Sequence, residues 1–385
     1  MCYYYDRWLT LQKVKKIKLK KPLVILLKIL GFLLCVLLVL FIIYKIQIKD
    51  LTDLGYSEEA SNNILFSSKK EYVMSVGENK TLNKAFESDK INEEFLDNYV
   101  KIDYVDHKDL IENINKLIKI GYSNSDINII LKHGDNESVK RFTTRDKVKY
   151  LEEFYLIDYA KLDYYDRYMN YSDETGEDEE TTVLHVNLDM DKAAYTDAIL
   201  VEEFSLDMLV NKHRYLSEDY KPDDLVKINE KYASDDDMYA SRLSVNAFME
   251  MHDAALREGY EIVINSAYRS YQDQQDISDL YLGIYGQKYV DNYVAKPGFS
   301  EHQTGLAFDI GSRKVNVFAN SEEYKWMLDN AYKYGFINRF PKKYEKITEF
   351  RSEPWHFRYV GKDIAKYIYE NNITLEEYYV TFLDK

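Results

Sequence analysis

The run from Leu23 to Tyr44 constrains this chain more than any other stretch: twenty-two residues, apolar apart from Lys28 and Gly31. As a helix rising about 1.5 Å per residue it reaches roughly 33 Å, enough to cross the hydrocarbon core of a bilayer. Lys28 lies near one end, where its stem can snorkel to the headgroups. A cleavable signal peptide would carry a shorter apolar region ending in a small-x-small site. Here the run leaves through Ile43-Tyr44-Lys45-Ile46-Gln47, without small residues. An uncleaved single-pass anchor in the lipid bilayer is the expectation. Lys13, Lys15, Lys16, Lys18, Lys20 and Lys21 precede the span, and only Lys45 and Lys49 follow it closely. That asymmetry predicts a cytoplasmic N-terminus and the rest of the chain outside the membrane, extracellular or periplasmic.

The rest divides by composition. A basic tail at 1–22 and the span at 23–44 are followed by short helical patterns over 45–170, an acidic linker at 171–181 (Asp173 to Glu180) and a folded domain over 182–385. Two stretches of the helical part echo each other: Gly55-Tyr56-Ser57 leading to Asn63-Ile64-Leu65, and Gly121-Tyr122-Ser123 leading to Ile129-Ile130-Leu131. Gly-Tyr reads as a turn and Ser as an N-cap, with Ser123 and Asp126 spaced like a capping box. This part reads as a stalk of degenerate repeats whose partner, where it has one, the sequence does not name.

Residues 1–50 carry a charge of about +8, which leaves about −23 for the remainder. So acidic a face argues against nucleic acid as a partner. Cys2 and Cys35 are the only cysteines, one before the span and one within it, so a metal in the exported part must be held by His and carboxylate.

In the last domain, Thr182 to Leu188 alternates like a strand, with His185 an ordinary member of it. Leu243, Ala247, Phe248, Met251 and Ala255 recur at helical period up to Gly259, with His252 off the stripe and solvated. Ile262 to Ile264, Leu306 to Ile310 and His356 to Val360 read as core strands. Helices interspersed with these few strands predict an α+β domain with its site on one face of a small sheet.

That site rests on two short segments, Ser300-Glu301-His302-Gln303-Thr304-Gly305-Leu306-Ala307-Phe308-Asp309 and Glu353-Pro354-Trp355-His356. They supply two imidazoles and a carboxylate, with a second carboxylate three residues before the last His. Three protein ligands, an open fourth position and a free Glu are what a hydrolytic zinc site requires. On a strand Asp309 faces opposite to Leu306, Phe308 and Ile310, and Gly305 lets the chain turn so that His302 and Asp309 converge. Glu353 and His356 differ by an odd number, so they share a face only if Pro354 breaks the strand geometry.

The pattern Ser-x-His-x-x-Gly-x-Ala-x-Asp followed by Glu-x-Trp-His resembles the VanY-type D-alanyl-D-alanine carboxypeptidases, zinc peptidases of the LAS/hedgehog-like group that trim peptidoglycan stem peptides. Ser266-Ala267-Tyr268-Arg269-Ser270 with Gln275, and Arg358-Tyr359-Val360-Gly361, extend the resemblance over roughly 182–385. It implies a small antiparallel sheet with flanking helices and one zinc ion on His302, Asp309 and His356. It further implies Glu353 as general base, Arg269 on the substrate carbonyl and its oxyanion, and substrate contacts from Gln275 and Ser300. The activity it implies is removal of the terminal D-alanine from peptidoglycan stem peptides. An L,D-carboxypeptidase acting on tetrapeptide stems, an endopeptidase, and a zinc-stabilised wall-binding module without catalysis are the rival readings.

Overall fold

The computed structural model of the chain describes residues 21–383. The basic run before Lys21 lies outside the described residues. Two compact units divide the chain, Met1–Lys147 and Val148–Lys385.

The first unit is helical. Lys21–Asp53 is one helix of 33 residues with a mean hydropathy of 3.2 over its most apolar window, and none of that window is buried. Only its last turns, at Ile48 and Leu51, pack inside the protein. Short helices follow, among them Glu58–Phe66, Lys80–Glu87, Leu110–Ile120 and Asn124–His133, around a core that includes Ile64, Leu82, Ile114, Leu117 and Ile130. The echo seen in the sequence is an echo in space. Gly55 and Gly121 take positive φ (+99° and +102°), Tyr56 and Tyr122 are buried after them, and Ser57 and Ser123 cap the next helix. Ser123 and Asp126 form the expected reciprocal capping box.

In the second unit, residues 171–187 depart from expectation. The acidic segment is not an open linker: Tyr165–Thr175 and Glu179–Asn187 are helices. Asp178 accepts from the Thr181 N–H as N-cap, and Glu179 and Glu180 fill the first turn, favouring a helix start. Thr182 to Asn187 are all buried, so the helix shows no polar face by which its period could be read. His185 lies within it, its Nδ1 2.7 Å from Glu177 and 3.1 Å from the Tyr171 hydroxyl.

The central sheet has four antiparallel strands: β1 (Val263–Ser266), β2 (Ala307–Gly311), β3 (Phe336–Phe340) and β4 (Glu353–Tyr359), in the order β1-β2-β4-β3. With the flanking helices this is the α+β architecture. Phe308, Ile310, Phe336 and Phe357 pack on one face against Phe248, Met251 and Ala255 of the helix Arg242–Arg257. His252 belongs to that buried face rather than to solvent: its Nδ1 meets the Ile262 carbonyl at 2.6 Å. The opposite face of the sheet carries Asp309 and His356.

Candidate metal centre

Backbone geometry brings the two motifs together. Ser300 caps a short 3-10 turn, Glu301–Thr304, which presents His302, and Gly305 closes it at φ +66°. A Cβ at Gly305 would approach the Ser241 nitrogen to 3.0 Å, so both its conformation and its surroundings call for glycine. The chain then enters β2, where Asp309 sits directly opposite His356 on β4. Between β3 and β4 the register slips: Asn338 pairs with Phe357, but Phe340 pairs with Glu353. β4 thus holds two extra residues at Pro354, the break on which convergence depends. Glu353 and His356 consequently share a face, Oε2 to Nδ1 at 3.7 Å.

One donor atom each from His302, Asp309 and His356 lies within 4.8 Å of the others. The outward nitrogens of both rings are occupied. His302 Nδ1 is 2.7 Å from the Ala267 carbonyl, to which it must donate, and His356 Nε2 is 3.3 Å from Glu301 Oε2. The inward nitrogens face Asp309 Oδ1, His302 Nε2 at 3.4 Å and His356 Nδ1 at 3.2 Å. Acceptors that fix the outer nitrogen and leave the inner one free to ligate are the arrangement metal-binding histidines require.

Electrostatics supports the same donor set. Burial, reinforced by Arg269, lowers the His302 pKa to about 4, so that ring is neutral. Burial alone would also lower His356, but its hydrogen bonds to Asp309 and Glu301 raise it to about 9. Carboxylates that favour a proton on Nδ1 would favour a divalent cation in its place, and metal competes with proton for such a nitrogen. Asp309 is held well below the usual carboxylate range, its desolvation outweighed by the two histidines. Burial pushes Glu353 up to about 7, against the pull of His356 and Arg269. A nitrogen, nitrogen, oxygen set with this outer shell suits zinc.

The triad floors a cleft of about 250 Å³, also lined by Arg269, Gln274, Ser300, Glu353 and Trp355. Arg269 follows β1 and its backbone N–H donates to the His302 carbonyl at 3.2 Å, while its Nε is buried without a partner. Gln275 is not brought into the cleft: its amide bonds Asp279 one turn along its own helix. Its neighbour Gln274 lines the wall instead, its amide nitrogen on the Ala295 carbonyl and its oxygen unpartnered. Successive helix positions point about 100° apart, so the phase set by the Ser270 cap decides which glutamine faces in.

Glu301 lies inside the first motif without a role assigned by it, and Arg339 and Glu376 lie outside both motifs. Arg339 Nε donates to Glu301 Oε1 at 2.8 Å, and Arg358 Nη1 stands 3.2 Å from the same carboxylate. Although burial would raise Glu301, these cations hold it well below the usual carboxylate range. An arginine inside the apolar strand Phe336-Ile337-Asn338-Arg339-Phe340 was the available signal, but nothing local named its partners.

A family model described as D-alanyl-D-alanine carboxypeptidase, VanY, matches residues 238–362. YodJ of Bacillus subtilis is 46% identical over 179 residues, 44% of this chain and 66% of that protein. A bifunctional D-Ala-D-Ala dipeptidase and D-Ala-D-Ala carboxypeptidase of Enterococcus gallinarum, VanXYC, is 33% identical over 44% of this chain and 92% of its own length. A solved LdcB LD-carboxypeptidase is 45% identical, covering 44% of this chain and 84% of that one, with a TM-score of 0.42. Against the first curated relatives the chain spans about half to two thirds of their length.

Proposed function

The chain belongs to the VanY family of D-alanyl-D-alanine carboxypeptidases, and we propose that it is a membrane-anchored zinc peptidase removing the C-terminal D-alanine from peptidoglycan stem peptides. The observation that carries this reading is the convergence of two inward-facing imidazole nitrogens and a carboxylate within 4.8 Å, beside a second, half-buried carboxylate. His302 Nε2, Asp309 and His356 Nδ1 would hold one zinc ion. When bound, zinc would supply Lewis acidity toward an attacking water and toward the scissile carbonyl.

The remaining work falls to the chain. Glu353 takes the proton of the attacking water and returns it to the leaving amine, a role suited to a carboxyl raised toward neutrality. The Arg269 guanidinium, anchored through its backbone to His302, meets the carbonyl oxygen as it gains negative charge. Ser300 and the buried Gln274 offer polar contacts to a peptide end, and Gln275 would need to turn from Asp279 to join them. Lys21–Asp53 would anchor the protein in the bilayer, with Lys13 to Lys21 cytoplasmic and the peptidase outside, and the helices between would serve as a stalk.

Incubation with defined tri-, tetra- and pentapeptide muropeptides tests the assignment. Loss of one alanine from the pentapeptide is the expected result. Loss from the tetrapeptide alone would make the protein an L,D-carboxypeptidase, and binding without loss would make it a wall-binding module.

A further inference from the structure

We infer that Glu376, in the C-terminal helix Leu375–Phe382, is a positioning residue for the zinc ligand His356, acting through Arg339 and Glu301. The inference rests on the zinc-centre reading above and extends it to a part of the chain outside both motifs.

Glu301, Arg339, Arg358 and Glu376 form one buried cluster, each side chain no more than 2% exposed. Arg339 joins two carboxylates with one planar group. Its Nε edge donates to Glu301 Oε1 at 2.8 Å, and its Nη1 donates to Glu376 Oε2 at 2.8 Å, with Nη2 on the other oxygen of Glu376. A bidentate fork fixes the guanidinium plane, so the position of Glu376 sets the position of Glu301. The other oxygen of Glu301 meets His356 Nε2 at 3.3 Å. That contact holds the ring so that Nδ1 points to Asp309.

The far end of the relay is itself fixed. Thr374 and Glu377 cap the C-terminal helix reciprocally, and Leu375 and Val380 anchor it in a buried cluster. Two carboxylates and two guanidiniums balance, which leaves Glu301 as the charged neighbour of His356. Stability alone does not require such a set, since apolar residues of similar volume commonly serve a core as well as buried ion pairs do. Placing a charged acceptor behind a metal ligand does require it, and losing such an acceptor typically costs about 10–100-fold in metal affinity. Glu376→Gln would also leave the cluster with a surplus positive charge close to the zinc site.

The test measures zinc affinity of the full-length protein by competition with a chelating dye, together with the melting temperature of the zinc-free protein. Glu376→Gln should bind zinc about tenfold more weakly, at the lower end of the range for residues behind a ligand. Glu376→Asp, which keeps the charge, should recover most of that loss. A merely structural role would lower the zinc-free melting temperature and leave zinc affinity at the wild-type value, and that result overturns the relay. If Glu376→Gln does not fold, Arg339→Lys keeps the charge and removes the fork: about tenfold weaker zinc binding supports the relay and unchanged binding overturns it. Wild-type protein that takes up no zinc would instead overturn the zinc-centre reading, and the relay with it.

Discussion

The two units bury different kinds of polarity. Among the described residues, the N-terminal unit buries short groups such as Thr81, Asn113, Asp126 and Ser138. They answer nearby backbone: Thr81 donates to the Ile102 carbonyl, Asn113 to that of Lys108, and Asp126 accepts from the Ser123 N–H. Each such bond adds about 0.5–1.5 kcal/mol and shapes a turn or a helix end. The C-terminal unit buries full charges, Glu301, Arg339, Arg358 and Glu376, and sets His302 and His356 beside them. Desolvating each of those ions costs several kcal/mol before pairing offsets it. Both units use buried polarity to define their folds, and the second adds a buried charged set that holds a reactive geometry. Substitutions should therefore uncouple: chemistry without much stability in the second unit, stability without chemistry in the first.

The largest expected effect is that of Glu353→Gln. The change removes the proton acceptor and preserves the shape of the side chain, so turnover should fall by about 10²–10⁴ while zinc stays bound. Full hydrolysis by that variant would remove Glu353 from the reaction. Chelation comes next. With zinc at about a thousand times its Kd, binding stabilises the native state by about 4 kcal/mol, so a chelator should lower the melting transition of the C-terminal unit and leave that of the N-terminal unit in place. An unmoved C-terminal transition would show the ion to be peripheral. Arg269→Ala should cost about 10²–10³ in kcat by removing one charged donor to the oxyanion. A change confined to KM would recast Arg269 as a ground-state contact.

What the sequence made legible has the same division behind it. His302, Asp309, His356 and Glu353 stand in two short segments, and the structure brings them to one cleft because Gly305 and the slip at Pro354 are also written in those segments. The repeated Gly-Tyr-Ser turns were legible for the same local reason. What depends on distant packing was not. The helix Glu179–Asn187 is buried all round from Thr182 onward and imitates a strand's alternation, and His252 is drawn inside by the Ile262 carbonyl across a turn. β3 supplies an edge strand, and through Arg339 one of the two guanidiniums of the charge network, yet that arginine's partners lie 38 and 37 positions away. Gln274 and Gln275 differ by one position, and only the helix start at Ser270 settles which one faces the cleft.

Ser123→Ala has the smallest expected effect and tests the first unit's side of the contrast. The Ser123 hydroxyl accepts from the Asp126 N–H at 3.0 Å, and losing an N-cap acceptor typically costs about 1 kcal/mol. The reciprocal half of the box survives, because Asp126 still accepts from the backbone N–H of residue 123 and still pairs with Lys147 at 3.3 Å. The helix Asn124–His133 should therefore persist with a frayed first turn. The N-terminal transition should drop by roughly 3–6 °C, the scale for about 1 kcal/mol in a unit of this size. Zinc affinity and turnover should match the unaltered protein, since no charged group of the reactive cleft depends on that cap. A loss of turnover in Ser123→Ala would break the contrast, because the polar groups of the helical unit would then serve the chemistry as well as the fold.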